Sequence, residues 1–181
     1  MDVSYEFLTA WGTIALALIA IVALIWESRS TRLALGADVL LKLQEQFDGK
    51  QMLIFRRKAV ESILSCRSKT TTGLTDDVDD VLDFFENVAL LVRRKVLDTE
   101  LVWHSFNYWI RGYYSVAADH IKTEREKYPT RWEDLCWLHE HLTEFANIRD
   151  NRPALAERKM TDTEIDKFLA GEKATCDEAA A

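Results

Sequence analysis

Between Phe7 and Trp26 the chain runs for twenty residues, FLTAWGTIALALIAIVALIW, without one charged side chain. A helix of that length rises roughly 30 Å, the thickness of a bilayer's hydrocarbon core. Ten of the twenty are Leu, Ile, Phe or Val. At about −0.3 to −0.6 kcal/mol each, they favour insertion by on the order of −3 to −6 kcal/mol, and no charge opposes that sum. Tyr5, Trp11 and Trp26 lie near the ends, where amphipathic rings prefer the interface. The segment therefore reads as a transmembrane helix over 7–26. A cleaved signal peptide fits less well. The preceding MDVSYE carries no Lys or Arg, the apolar run is longer than an h-region, and no small-x-small site precedes ESRSTR.

Basic residues set the expected orientation. Arg29, Arg32 and Lys42 follow the segment and none precedes it. The positive-inside rule then places residues 1–6 outside and the rest in the cytoplasm, as a single-pass protein of the cell (inner) membrane. Thr13, Ala17 and Ala20 put small residues along one side of the helix, a possible homo-oligomer contact.

The remainder is expected to fold as an all-α cytoplasmic domain over 27–152, a bundle of four to five helices continuing from the membrane helix. Six Gly and two Pro among 181 residues favour long helices over a turn-rich β fold. Gly36, Val39, Leu40, Leu43 and Phe47 form a first helical stripe, closed by Asp48-Gly49. Met52, Phe55, Ala59, Val60, Ile63 and Leu64 form a second. In the third, Val78, Val81, Leu82, Phe85, Val88, Ala89 and Val92 share a face. Asp76, Asp77, Asp79 and Asp80 open that helix and Arg93, Arg94 and Lys95 close it, the order its dipole favours. A corner is expected near Leu97, with Asp98, Thr99 and Glu100 opening a fourth helix that runs to about Tyr128. Its aromatic residues cover a wide arc, so it reads as central. Gly112 in its middle implies a close neighbour. Pro129 stops it. Thr130 to Glu133 is a capping-box pattern opening a fifth helix, with Trp132, Leu135, Leu138, Leu142, Phe145 and Ala146 inward. The last segment, 153–181, reads as a polar acidic tail with a short helix from a second capping box, Thr161 to Glu164, fraying after Gly171. From Met160 to Ala181 it holds six acids and two bases, and it is expected to add little to the core.

The net charge of −7, with acids and bases interspersed, leaves no basic face for nucleic acid. Three cysteines, Cys66, Cys136 and Cys176, are too few and odd for a disulfide framework. Asp76, Asp80 and Asp83 could face a hard cation, but no calcium-loop spacing is present, and a solvated, dipole-stabilising face explains them better. Cys136 and His139 have a spacing that suits two zinc ligands, yet CxxC and HExxH partners are absent. His104 and His120 would have to be brought in by the fold. Glu100 and His104 stand four apart, where a di-iron bundle needs three. No Walker loop, GxSxG or GxGxxG occurs. The sequence thus assigns no catalytic, cofactor-binding or metal-binding residue. Two basic triplets, Arg56-Arg57-Lys58 and Arg93-Arg94-Lys95, could touch anionic lipid, though a solvated face is the simpler reading.

The stretch Asp79 to Tyr114 (with FFE, LVRR, LVW and its following YW) and the WEDLCWLHEHL run from Trp132 resemble a family of short bacterial membrane-anchored proteins described only as a domain of unknown function. FRRKAVESIL from Phe55 belongs to the likeness, which extends over Glu27 to Ile148. It implies an N-terminal transmembrane helix and a helical domain, and no activity, ligand or catalytic residue. The expectation is a non-enzymatic, membrane-tethered interaction module or accessory subunit, with the lipid bilayer and a protein as partners. Two alternatives stand beside it. One is an enzyme or sensor with a small-molecule or metal site between the fourth and fifth helices. The other is a modulator of a membrane transporter acting through the transmembrane helix.

Overall fold

The computed structural model describes residue 27 and residues 35–68, 73–149 and 160–179. Seven helices, and no strand, occur among the described residues. Residues 35–47 are helical (α1). The others are α2 (Lys50–Arg67), α3 (Asp76–Arg93), α4 (Thr99–Val116), α5 (Ala118–Lys127), α6 (Glu133–Arg149) and α7 (Asp162–Glu178). The apolar segment 7–26 lies outside the described residues, and no described helix is long and apolar enough to cross a membrane.

Helix α3 is the centre of the bundle. It packs on α6 along one side and α2 along another, with α4 also against it. Every residue of its expected apolar face is buried, and Phe84 joins them. Phe47, at the end of α1, reaches into the middle. Its ring lies 5.2 Å from Phe84, 5.6 Å from Phe106 and 5.1 Å from Trp109. Such tilted and edge-on pairs add to simple area burial.

The corner between α3 and α4 falls where the sequence placed it. Lys95 takes a left-handed φ of 57° and Asp98 caps α4, accepting from the N–H groups of Glu100 and Leu101. Three other expectations need correction. The long helix expected up to Tyr128 bends at Ala117 into α4 and α5. The ladder carries on through the bend, from Ala117 N to Tyr113 O and from Ile121 N to Ala117 O. The box at Thr130 to Glu133 does not cap α6. Glu133 N turns back to Thr130 O, and the free N–H groups of Asp134 and Leu135 donate instead to Glu86 on α3. The tail segment does contribute to the core. Helix α7 continues through Gly171 to Glu178, opened by the Thr161–Glu164 capping box, and buries Ile165, Phe168, Leu169, Glu172 and Cys176. With the expected fourth helix divided into α4 and α5 and with α7 added, the helices among the described residues exceed the four to five expected.

Candidate functional site

Two charged residues are buried among the described residues, and they face each other. Arg56 sits on the inward side of α2, between Met52 and Ala59, where the helical stripe calls for an apolar residue. Glu172 sits on the inward side of α7. Three donors converge on its carboxylate: Arg56 Nε at 2.6 Å, Tyr113 OH at 2.8 Å and Trp109 Nε1 at 3.1 Å. The residues of α2 and α4 thus form a carboxylate receptor, and α7 fills it.

The electrostatics follow from burial. Burial works against the Arg56 charge, but the hydrogen bond and field of Glu172 more than offset it and hold the guanidinium above its ordinary pKa. Burial, then the negative field of Glu172, pushes the Tyr113 hydroxyl well above the usual tyrosine range, so it stays protonated and donates. Arg56 also donates from Nη1 to the Phe47 carbonyl at 3.2 Å and lies 4.0 Å over the Phe47 ring. Its Nη2 has no hydrogen-bond partner among the described residues.

Shape and charge complete the seam. A Cβ on Gly112 would overlap the Phe168 ring, so glycine makes the socket into which Phe168 fits. Tyr113 and Tyr108 flank that ring at 5.3 and 5.4 Å. Around the edge, basic residues of α2 and α4 meet acids of α7. Arg57 pairs with Asp177 at 3.4 Å, Arg67 with Asp166 at 3.0 Å, and Arg111 with Glu164 at 3.7 Å.

The sequence candidates distribute differently. The acidic face of α3 holds α5, the turn before α6 and the start of α6 rather than facing only solvent. Asp79 takes Arg131 Nη2 and His120 Nε2 at 2.7 Å each, Asp83 takes Trp132 Nε1 at 2.6 Å, and Glu86 caps α6. Cys136 is buried and accepts from Arg125 Nη1, while His139 stacks on Tyr114 with centroids 3.9 Å apart. His104 meets Arg149, and His141 meets Thr99. Among the described residues no three His, Cys, Asp or Glu side chains gather as a metal-ligand set. Burial pushes the thiols of Cys136 and Cys176 upward, so neither is prepared as a thiolate. The basic triplets divide. Arg56 is internal, Arg57 pairs with Glu61 and Asp177, Lys58 pairs with Asp77, and Arg93 pairs with Asp134 and Glu133. Arg94 and Lys95 stay exposed at the α3–α4 corner. Lys95 there lines an open cleft of about 270 Å³ with Gly36, Val92, Val96 and Leu97.

A family model described as Domain of unknown function (DUF4760) matches residues 10–142. The chain belongs to this family. The description of DUF4760 assigns no function. No curated protein and no solved structure matches the chain. The DUF4760 segment contains Arg56, Trp109, Gly112 and Tyr113, the whole receptor, whereas α7 lies beyond its end.

Sequence reasoning missed Arg56 and Glu172. The signal was present in both places. Arg56 falls in register with Met52, Ala59, Val60 and Ile63. Ile165, Phe168, Leu169, Glu172 and Cys176 follow the spacing i, i+3, i+4, i+7, i+11.

Proposed function

We propose that the chain is a membrane-tethered helical interaction module, anchored through 7–26 with its domain on the cytoplasmic side, and that it recruits a protein partner. The observation that carries this reading is the uncharged apolar run shortly before α1. Two further features support it. Arg94 and Lys95 lie at the same end of the domain as Gly36, near the described start of α1, where an anionic leaflet would attract them. Inside the domain, polar side chains serve recognition between elements: Asp79 and Asp83 on α3 for α5 and the turn before α6, Glu86 for α6, and Arg56, Trp109 and Tyr113 for α7. The reading assigns the chain no catalytic chemistry.

Fractionation tests the tether. The full-length chain is expected in the membrane pellet. Ile19→Arg with Ala20→Arg should move it to the supernatant, because two central charges at about +2.5 to +3.5 kcal/mol each cancel most of the insertion energy. A wild-type chain found in the supernatant would sink the reading. Crosslinking in native membranes followed by mass spectrometry tests recruitment. A defined partner is expected, and repeated recovery of the chain alone counts against it.

A further inference from the structure

We propose that the groove between α2 and α4 binds an acidic amphipathic helix carried by a partner chain, and that α7 is its resident competitor. The inference rests on the interaction-module reading and names the surface and the ligand.

The groove specifies its ligand in detail. Its floor offers three donors to one carboxylate, from Arg56, Trp109 and Tyr113. Its wall has a socket at Gly112 sized for an aromatic ring. Its rim is cationic, with Arg57, Arg67 and Arg111 each meeting an acid. A matching helix carries apolar residues where α7 has Ile165, Phe168 and Leu169, a carboxylate one further heptad step from Ile165, and acids on the flanks. This is helix-in-groove recognition, read at spacings of three, four and seven. The charged floor supports a recognition role over a purely stabilising one. Replacing a buried ion pair by apolar residues is often neutral or stabilising, while fixing register is the best-attested use of such a pair.

Two observations make the resident helix a competitor. All groove residues lie inside the family segment 10–142, and α7 at Asp162–Glu178 lies outside it. Helix α7 also packs chiefly on α2 and, after it, on α4, the two walls of the groove. A tether of ordinary length holds its occupant at an effective concentration on the order of millimolar. A free helix of equal intrinsic affinity then loses to α7 unless it too is concentrated, as a partner in the same bilayer would be.

The test uses the full chain, cut once by a site-specific protease between residues 150 and 159, so that α7 stays seated but loses its tether. A fluorescent peptide of residues 160–179 is added and its anisotropy followed. The labelled peptide is expected to exchange into the cut chain, and to bind the uncut chain on the order of a hundredfold more weakly. A peptide carrying Glu172→Lys should not exchange. Absence of exchange under excess peptide, or collapse of the domain when α7 leaves, would make α7 a permanent core helix and overturn the proposal. Equal binding of the Glu172→Lys peptide would overturn carboxylate recognition. Mixing tagged and untagged full-length copies in mild detergent covers the other occupant. If the tag recovers untagged chain and excess peptide abolishes this, the groove belongs to a second copy, which overturns the partner-chain assignment. Failed exchange leaves fractionation and membrane crosslinking unchanged, so the two readings fail separately.

Discussion

Carboxylates hold both the α3–α6 seam and the α7 seam, but they work in different solvents. On α3, Asp79, Asp83 and Glu86 stand at a half-wet edge, and their donors are spread over α5, the turn before α6 and the first residues of α6. On α7, one carboxylate enters a dry site and satisfies three donors at once. The first arrangement is incremental, because losing one contact leaves the others and water can substitute. The second is close to all-or-none, because removing Glu172 leaves the buried guanidinium only the Phe47 carbonyl and the more distant Asp48 carboxylate, both at its Nη1 end. Wet contacts tolerate variation along the seam, whereas the dry one accepts a single register.

The sharpest way to break this contrast is Glu172→Ala. It is expected to cost about 3–5 kcal/mol, as loss of one partner from a buried pair does, in urea unfolding of the purified chain. Combining Arg56→Met with Glu172→Leu should recover part of that loss, since both charges then leave the interior while the Tyr113 hydroxyl and the Trp109 N–H stay without their acceptor. A single variant no worse than a broken surface pair would erase the distinction. Next comes Gly112→Ala. The added methyl meets the Phe168 ring, and overpacking of this kind costs about 1–3 kcal/mol. Amide exchange should quicken across 162–178 and stay unchanged across 133–149. A smaller effect is expected from Glu86→Ala, which removes the cap of α6 at about 1 kcal/mol, with faster exchange limited to the first turn of that helix.

The smallest effect concerns acid, and its sign should differ between the seams. Burial holds the Glu86 carboxyl above its ordinary value of 4.5, against the pull of the Leu135 and Asp134 N–H groups. The folded chain therefore takes up this proton more readily than the unfolded one. Stability from Glu86 grows as pH falls through its folded pKa and is fully present below 4.5. Asp177 is the reverse, because its hydrogen bond from Lys173 holds it below its ordinary 3.8. Its contribution is present above 3.8 and is lost as pH falls through the lower folded value. On acidification, exchange at the start of α6 should fall first, as Glu86 takes up its proton above pH 4.5, and exchange at the end of α7 should rise only later, below pH 3.8. An end of α7 that does not loosen below pH 3.8 would show that the Lys173–Asp177 pair contributes nothing to that helix.

How much of this was legible depends on whether local pattern or tertiary partner decided each feature. Helix α3 was fully readable, since its apolar face and its terminal charges agree. The corner at Leu97 was readable from the basic end of α3 and the acidic start at Asp98, Thr99 and Glu100, and the structure adds that Asp98 is the cap. The bend at Ala117 was not, because neither Gly nor Pro marks it and the hydrogen-bond ladder passes through it. The cap of α6 was misread because the true acceptor, Glu86, lies some fifty residues away in sequence. The receptor was hidden by charge. Arg56 was grouped with its exposed neighbours Arg57 and Lys58, and Glu172 with the acids of the tail. A charged residue standing in an apolar register is the pattern that would have joined them, since neither is tolerated in a core without the other.

Arg56 has a second attachment. The same guanidinium that holds Glu172 also holds the backbone carbonyl of Phe47, the last residue of α1. Occupation of the groove and the posture of the helix nearest the apolar segment are therefore linked through one side chain, and linkage runs equally both ways. Tension or tilt imposed on α1 would alter how tightly the groove grips its occupant, and a change of occupant would be felt at α1 by the same free energy.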